Sequence, residues 1–318
     1  MRILPGRGRR APSQTIVLLA RVFLLAVLLP IGVAADDAPL HVLLTNDDGY
    51  DAPGIKAMYR ALLGGGYRVS VVAPRDQQSG SSMRVSIGSI RVEQLEKDFW
   101  TVAGTPADSV SFALLKLLRD SPPDVVVSGA NFGQNLGSNT NISGTVGAAI
   151  MAAQLGVPAI AVSVGIHLDE REATPVRFPS TMDAFAPTAA FTVKLLREID
   201  RTRQPGTQLL PANKLLNLNY PALRATEVKG MRVARVARTG GFVPVFVETD
   251  TPGKIRIALE HGNPIDRSQP AADTKLFAEG YITVSVLDGS LDDGRENSVA
   301  LEERLADLLV RERTDRTQ

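Results

Sequence analysis

Two adjacent aspartates, Asp47 and Asp48, are the first residues whose types and spacing could support chemistry. They follow a short apolar run, so two like charges would lie at the end of a buried strand. Their repulsion there is unfavourable unless a cation offsets it. Turns and helix N-caps also favour aspartate through local hydrogen bonding alone. The turn at residues 45–49 therefore predicts either a metal site or a helix cap, and by itself it does not decide between them.

Two more polar turns follow apolar runs further along the chain. Residues 74–82 supply hydroxyls and small side chains, as an ordinary surface loop also does. Residues 129–143 combine glycines, which let backbone N–H groups approach an anion, with the amide side chains of Asn131 and Asn135. A long turn without a ligand remains the alternative there.

The segment from Ser143 to Gly147 begins a predicted helix made of small residues. Its exposed N–H groups and the helix dipole could hold a phosphate, although close packing of a helix on a sheet also requires small residues. The nucleotide-binding patterns Gly-x-x-x-x-Gly-Lys-Ser/Thr and Gly-x-Gly-x-x-Gly are absent from the sequence, and so is the Gly-x-Ser-x-Gly pattern of serine hydrolases. These absences disfavour triphosphate hydrolysis, dinucleotide binding and a serine nucleophile.

The elements that must position these turns alternate between strands and helices. Strands are predicted at 41–44, 67–73, 124–128 and 158–163, with helices at 54–63, 108–118, 145–155 and 182–199. Valine-rich strands alternating with helices predict a Rossmann-like, doubly wound α/β fold whose mostly parallel sheet is covered on both faces. In such sheets ligands bind beyond the carboxyl ends of the strands, where the three polar turns lie.

The pattern changes in the second half of the chain. Alternating segments at 214–220, 228–236, 241–248, 255–260 and 280–286 predict strands with few helices between them. We therefore predict an antiparallel β-hairpin extension over roughly 214–290. Residues 297–313 predict a charged amphipathic helix, packed on its own subunit or against a second copy. The predicted domains are a leader at 1–35, an α/β domain at 36–295 and a helical tail at 296–318.

Composition limits the possible partners and metal ligands. Lys and Arg number 35 against 34 Asp and Glu, a formal charge of +1, so no nucleic-acid binding is expected. The sequence has 0 cysteines and 3 histidines, which disfavours a zinc site of thiolates and imidazoles. A metal ion in this chain would need oxygen ligands.

The first 35 residues have the order of a secretory signal peptide: a basic start, an apolar run and small residues before Asp36. We therefore expect an exported, periplasmic protein with a cleaved signal peptide. An uncleaved membrane anchor is the alternative, disfavoured because the apolar run is shorter than the roughly 20 residues of a membrane span. The pair Arg9-Arg10 also permits a twin-arginine signal.

Several ordered motifs together resemble the SurE family of nucleotidases and phosphatases. They comprise Leu43 to Gly49, Val72-Ala73-Pro74 with Ser79-Gly80, Gly104 to Asp108, Ser128 to Asn135, Ser143 to Val146, Leu216 to Pro221, Asp273-Thr274 and Gly280 to Val284. The resemblance covers most of the predicted mature chain and implies a phosphomonoesterase acting on nucleoside monophosphates (a 5'/3'-nucleotidase) and on other phosphate esters or short polyphosphate. It also implies a homodimer or homotetramer.

The resemblance implies one divalent metal ion per subunit, Mg²⁺ or Mn²⁺. The residues that match the family's metal ligands are Asp47, Asp48, Ser79 and Asn131, of which the two aspartates are the expected catalytic residues. Carboxylate, hydroxyl and amide oxygens are hard ligands of the kind these ions prefer. The residues expected to bind substrate are Asn46, Gly104, Thr105, Asn135, Ser143, Gly144 and Thr145.

Three residues depart from the family pattern. Met83-Arg84 stands where small polar residues are usual, and Ile142 replaces an aromatic residue before Ser143. The departures leave the base preference open. Two alternatives to a nucleotidase follow: a periplasmic acid phosphatase of broad specificity, and a binding protein that captures a phosphorylated ligand without turnover.

Overall fold

The polar turns are carried by a large mixed sheet. Its strands and those of a small second sheet are β1 His41–Thr45, β2 Arg68–Pro74, β3 Val92–Glu96, β4 Phe99–Val102, β5 Val125–Phe132, β6 Ala159–Val164, β7 Lys214–Tyr220, β8 Met231–Val233, β9 Phe242–Glu248, β10 Ile255–His261 and β11 Ile282–Asp288. The helices are α1 Pro53–Gly64, α2 Pro106–Phe112, α3 Gly144–Gln154, α4 Pro179–Thr202 and α5 Asp273–Ala278. Shorter helical turns are Ala113–Leu117, Gly137–Asn141 and Leu168–Glu172.

The computed structural model describes residues 38–172, 178–261 and 269–290, and single residues at 299, 304 and 305. The predicted signal peptide at 1–35 and nearly all of the helix predicted at 297–313 lie outside these ranges. Export and the C-terminal helix therefore stay predictions, as do the domain boundaries. Within the described ranges, no helix has the length and apolar character needed to cross a membrane.

Nine strands form the large sheet in the order β3-β4-β2-β1-β5-β6-β7-β11-β8. The neighbours from β4 to β7 run parallel, while β3 and β11 run antiparallel at the two sides. The chain moves outward from β1 to β2 and β4, then crosses back to place β5 on the other side of β1. The predicted α/β fold is confirmed, and its topological switch point, where such sheets bind ligands, lies at β1.

Both faces of the sheet are covered, because alternate residues of the central strands face opposite cores. On one face Val42 and Leu44 belong to the core that contains Met58 of α1 and Phe185 of α4. On the other face Leu43 belongs to the core with residues of α2 and α3. The buried residues of α3 are mainly Gly and Ala, so this helix packs closely on the sheet. Close packing brings its first turn to the ends of β1 and β5.

The strands predicted as one antiparallel extension are divided between two sheets. β7 pairs parallel with β6, and β11 and β8 continue the large sheet, so only β9 and β10 form a separate antiparallel hairpin. The prediction was misled at β7 because Asn217 and Asn219 give this strand an alternating pattern although both are buried. The strand predicted at 228–236 is reduced to the three residues of β8.

Candidate functional site

The carboxyl ends of β1, β2 and β5 carry the three polar turns, as predicted, and backbone hydrogen bonds connect them. The N–H of Gln78 in the second turn donates to the carbonyl of Asp47 in the first, at 2.7 Å. The N–H of Ser82 donates to the carbonyl of Ile142 in the third, at 3.2 Å. The second turn is therefore hydrogen-bonded to both of the others. A site built here can take ligands from all three turns.

Asp47 is buried at the first turn of α3. Its Oδ1 accepts a hydrogen bond from the Thr145 hydroxyl at 2.5 Å. Burial raises the pKa of Asp47, while the hydrogen bonds from the Thr145 side chain and backbone act in the opposite direction. A Cβ atom at Gly144 would lie 2.9 Å from Asp47 Oδ2, so only glycine lets the helix approach this carboxylate so closely. The α3 N-terminus thus fixes the position of Asp47.

Asp48 is directed toward the end of β5. Its Oδ2 accepts from the Phe132 N–H at 2.7 Å, and its Oδ1 from the Gln77 side chain at 3.4 Å. Burial, followed by the neighbouring charge of Asp47, raises the pKa of Asp48 to about 7. Within the described part of the chain, no salt bridge reaches either aspartate. Among the described residues the two carboxyl groups therefore have no ion-pair partner to offset their charge, which is the condition that a bound metal ion relieves.

Asn131 and Asn46 each present a buried amide oxygen without a partner in the described part of the chain. The Asn131 Nδ2 donates to the carbonyl of Gly133 at 2.6 Å, and the Asn46 Nδ2 donates to the carbonyl of Gly49 at 2.7 Å. Each bond fixes the orientation of its amide, yet both Oδ1 atoms lack a hydrogen-bond partner among the described residues. Leaving a buried acceptor unpaired is unfavourable, and a cation at Asn131 Oδ1 would supply the missing interaction.

A cavity of about 160 Å³ collects several of the predicted residues. Asp47, Ser79, Asn131, Asn135 and Ser143 all line it. Asp48 lies beside this cavity rather than among its lining residues. The donors are one carboxylate, one hydroxyl and amide oxygens, which fit a hard divalent ion such as Mg²⁺ or Mn²⁺. Over the described ranges, no group of three or more His, Cys, Asp or Glu side chains could hold a metal ion, so a site here would depend on hydroxyl and amide oxygens as well as carboxylates.

Asn135 is held by residues that the sequence analysis did not assign to the site. The Asn135 N–H donates to Asn219 Oδ1 at 2.7 Å, and its carbonyl accepts from Asn217 Nδ2 at 2.8 Å. The Asn135 side chain donates to Ser163 Oγ at 2.9 Å and, more weakly, to Thr145 Oγ1 at 3.5 Å. A chain of hydrogen bonds thus leads from β6 and β7 to Asp47. Two asparagines inside a strand were the signal that could have revealed it.

Two other predicted substrate-binding residues, Ser143 and Thr105, have local structural roles. The Ser143 hydroxyl caps α3 by accepting from the Val146 N–H at 3.1 Å. The Thr105 hydroxyl caps α2 by accepting from the Asp108 N–H at 3.1 Å, and it donates to the Arg84 carbonyl. Neither Gly104 nor Thr105 lines the 160 Å³ cavity. Their part in substrate binding stays a prediction, whereas Ser143 and Gly144 adjoin the site directly.

Known proteins resemble this chain over most of its length. Residues 42–240 match the family described as "Survival protein SurE". The 5'-nucleotidase SurE of Nitratidesulfovibrio vulgaris is 39% identical over 255 residues, which are 77% of this chain and 86% of that protein. The 5'-nucleotidase SurE of Xylella fastidiosa is 35% identical over 247 residues, which are 77% of this chain and 88% of that protein.

A solved structure shows the same fold. The crystal structure of the SurE protein from Aquifex aeolicus superimposes with a TM-score of 0.65 at 30% sequence identity, covering 80% of this chain and 95% of that one. The family match spans more than half of the chain and includes all three polar turns. The chain belongs to the SurE family.

Proposed function

We propose that this chain is a metal-dependent phosphomonoesterase that hydrolyses nucleoside monophosphates. The observation that carries the proposal is the cavity shared by Asp47, Ser79 and Asn131, in which the fixed, buried Oδ1 of Asn131 has no partner among the described residues. The names of the relatives support a nucleotide substrate. Residues Asp47, Asp48, Ser79 and Asn131 would hold the metal ion.

The residues around the cavity prepare the site before substrate binds. A divalent ion held there would polarise the phosphoryl group and lower the pKa of a water molecule. Thr145 holds Asp47, and the Phe132 N–H holds Asp48, so neither carboxylate must reorganise during the reaction. The N-terminus of α3 adds a positive dipole end beside Asp47, which would favour binding of a phosphate there.

Purified protein should release phosphate from nucleoside monophosphates in the presence of Mn²⁺ or Mg²⁺. Excess chelator should abolish the release. Without the metal ion, the negatively charged carboxylates would repel the negatively charged phosphate ester. The measurement is a phosphate-release assay over a panel of nucleotides, p-nitrophenyl phosphate and short polyphosphate. Equal rates across the panel would favour the acid phosphatase of broad specificity. Binding by calorimetry without any product would favour the binding protein and refute the enzyme.

We also propose that the chain forms a homo-oligomer through the β9–β10 hairpin. Phe246 and Ile257 are directly paired across the hairpin, and they are 71% and 66% exposed. Ile255 lies on the same face and is also exposed. An exposed apolar sheet face of this kind marks an interaction surface, and a second copy of the hairpin would present the same apolar face to it.

The double variant Phe246→Ser and Ile257→Ser should therefore reduce the assembled mass to that of a monomer, measured by size-exclusion chromatography with light scattering. Removing two large apolar side chains takes away the area that drives association. The matched control is Leu115→Ser, which changes an exposed apolar residue far from the hairpin in sequence. A hairpin variant that keeps the wild-type mass would contradict this assignment of the interface.

A further inference from the structure

A second cavity lies beside the metal site, next to β6 and β7. It measures about 250 Å³ and shares the lining residues Gln134 and Ile166 with the 160 Å³ cavity of Asp47. The Gln134 side-chain oxygen accepts from the Ile166 N–H at 2.8 Å, so these two residues form a common wall. None of the residues assigned above to the metal or the phosphate lines the second cavity. It is therefore a separate compartment that adjoins the same site.

The lining of this cavity suits a flat apolar group. Its apolar side chains include Leu136, Ile166, Leu223 and Phe277. Pockets for drug-sized ligands run from roughly 300 to 1,000 Å³, so a cavity of about 250 Å³ fits a single ring system rather than a whole nucleotide. Phe277, which lines the cavity and is partly exposed, supplies an aromatic ring that an aromatic heterocycle could contact.

Two polar side chains interrupt the apolar lining. The His167 Nε2 is 2.8 Å from the carbonyl of Ala222, and because a carbonyl only accepts, the hydrogen must be on Nε2. In the neutral ring Nδ1 is then an acceptor. Thr274 is buried, and its hydroxyl has no partner among the residues that the structure describes. A ligand with its own polar edge would satisfy this hydroxyl, as is usual in mostly apolar pockets with a few polar groups.

We propose that the 250 Å³ cavity binds the base of a nucleoside monophosphate whose phosphate occupies the metal site. Phe277 contacts the face of the base, and Thr274 and His167 contact its polar edge. The inference rests on the proposed function and adds to it the residues that distinguish a nucleotide from other phosphate esters. The base is a purine or pyrimidine with a hydrogen-bonding edge.

Adenosine monophosphate and ribose 5-phosphate test this assignment, because they share the phosphate and the sugar and differ by the base. The wild type should show a lower KM for the nucleotide. Phe277→Ala should reduce the ratio of the two kcat/KM values about tenfold, the effect of one lost base–aromatic contact. Thr274→Val keeps the side-chain shape and removes the hydroxyl, and it should reduce the ratio about fivefold through the KM for the nucleotide.

Thr283→Val is the matched control. Thr283 is a buried threonine of β11 whose hydroxyl also lacks a partner in the described ranges, but it does not line the cavity. The ratio of its kcat/KM values for the two esters should equal that of the wild type. Thermal melting followed by circular dichroism checks that all variants fold. If the wild type cleaves both esters with equal kcat/KM, or if Thr274→Val leaves the ratio unchanged, the base assignment is wrong. If neither ester is cleaved with Mn²⁺ present, the proposed function itself fails.

Discussion

Replacing Asp47 with asparagine should reduce metal-dependent phosphate release by more than about 100-fold, because removing an outer-shell partner of a metal site already costs roughly 10- to 100-fold. Asp47 is proposed to contact the metal ion directly, so its loss removes both a ligand and a negative charge. Asparagine keeps an Oδ1 atom that can accept the hydrogen bond from Thr145. The geometry of the turn is therefore retained while the affinity for the cation falls. Initial rates at saturating Mn²⁺ measure the effect.

The same variant should fold at least as stably as the wild type when no metal is present. Burial penalises the charged form of Asp47 in the folded state, as its raised pKa shows, and a neutral amide avoids that penalty. It also removes the repulsion that Asp48 experiences from its neighbour. The rise in Tm on adding Mn²⁺, which reports binding to the folded state, should be lost. Activity and metal-dependent stabilisation should thus disappear together while the fold remains.

Asp51→Asn provides the control for this pair of measurements. Asp51 lies shortly after the acidic turn, is exposed, and forms an ion pair with Lys56. An exposed ion pair of this kind contributes little to stability. Its loss should leave both the rate and the Mn²⁺-dependent rise in Tm unchanged. Full activity in Asp47→Asn, or equal losses in both variants, would exclude Asp47 as a metal ligand.

The sequence could predict which turns meet because their positions follow from topology. The carboxyl ends of parallel strands lie at one edge of a sheet. Predicting a strand before each of Asp47, Ser79 and Asn131 was therefore enough to predict that these residues lie near one another. The roles inside the turns were less accessible. Thr145 was predicted to bind phosphate, which stays a prediction, and the sequence did not indicate that its hydroxyl donates to Asp47. Which acceptor a hydroxyl finds depends on packing between distant segments.

The missed elements have physical reasons as well. The hairpin of β3 and β4 has strands of five and four residues, and β3 is mostly exposed, so neither carries a clear apolar pattern. Helix α5 has only six residues. Asp273 at its start accepts from the N–H groups of Gly137 and Ala237, which are far away in sequence. Such contacts are decided by the tertiary structure and leave no periodic signal in the sequence.

Replacing Gly144 with alanine should lower turnover about 100-fold, since a displacement of about 1 Å near reacting groups has an effect of this size. The added Cβ atom would lie 2.7 Å from Ser81 Oγ and 2.9 Å from both Cβ and Oδ2 of Asp47. These distances are too short, so the Asp47 carboxylate or the first turn of α3 must move. The metal ligand and the helix N-terminus would then no longer have their present spacing. Steady-state kinetics at saturating Mn²⁺ should show the loss mainly in kcat.

Gly64→Ala is the matched control, because it adds the same methyl group to a helix without a contact. Gly64 ends α1, and a Cβ atom there would meet nothing within 4 Å among the described residues. Alanine is the better helix former, so this variant should keep full activity and be slightly more stable. The difference in kcat between the two variants therefore reports the effect of filling the space beside Asp47, separately from the general effect of replacing a helical glycine. If Gly144→Ala retains wild-type kcat, the close approach of α3 to this carboxylate has no part in catalysis.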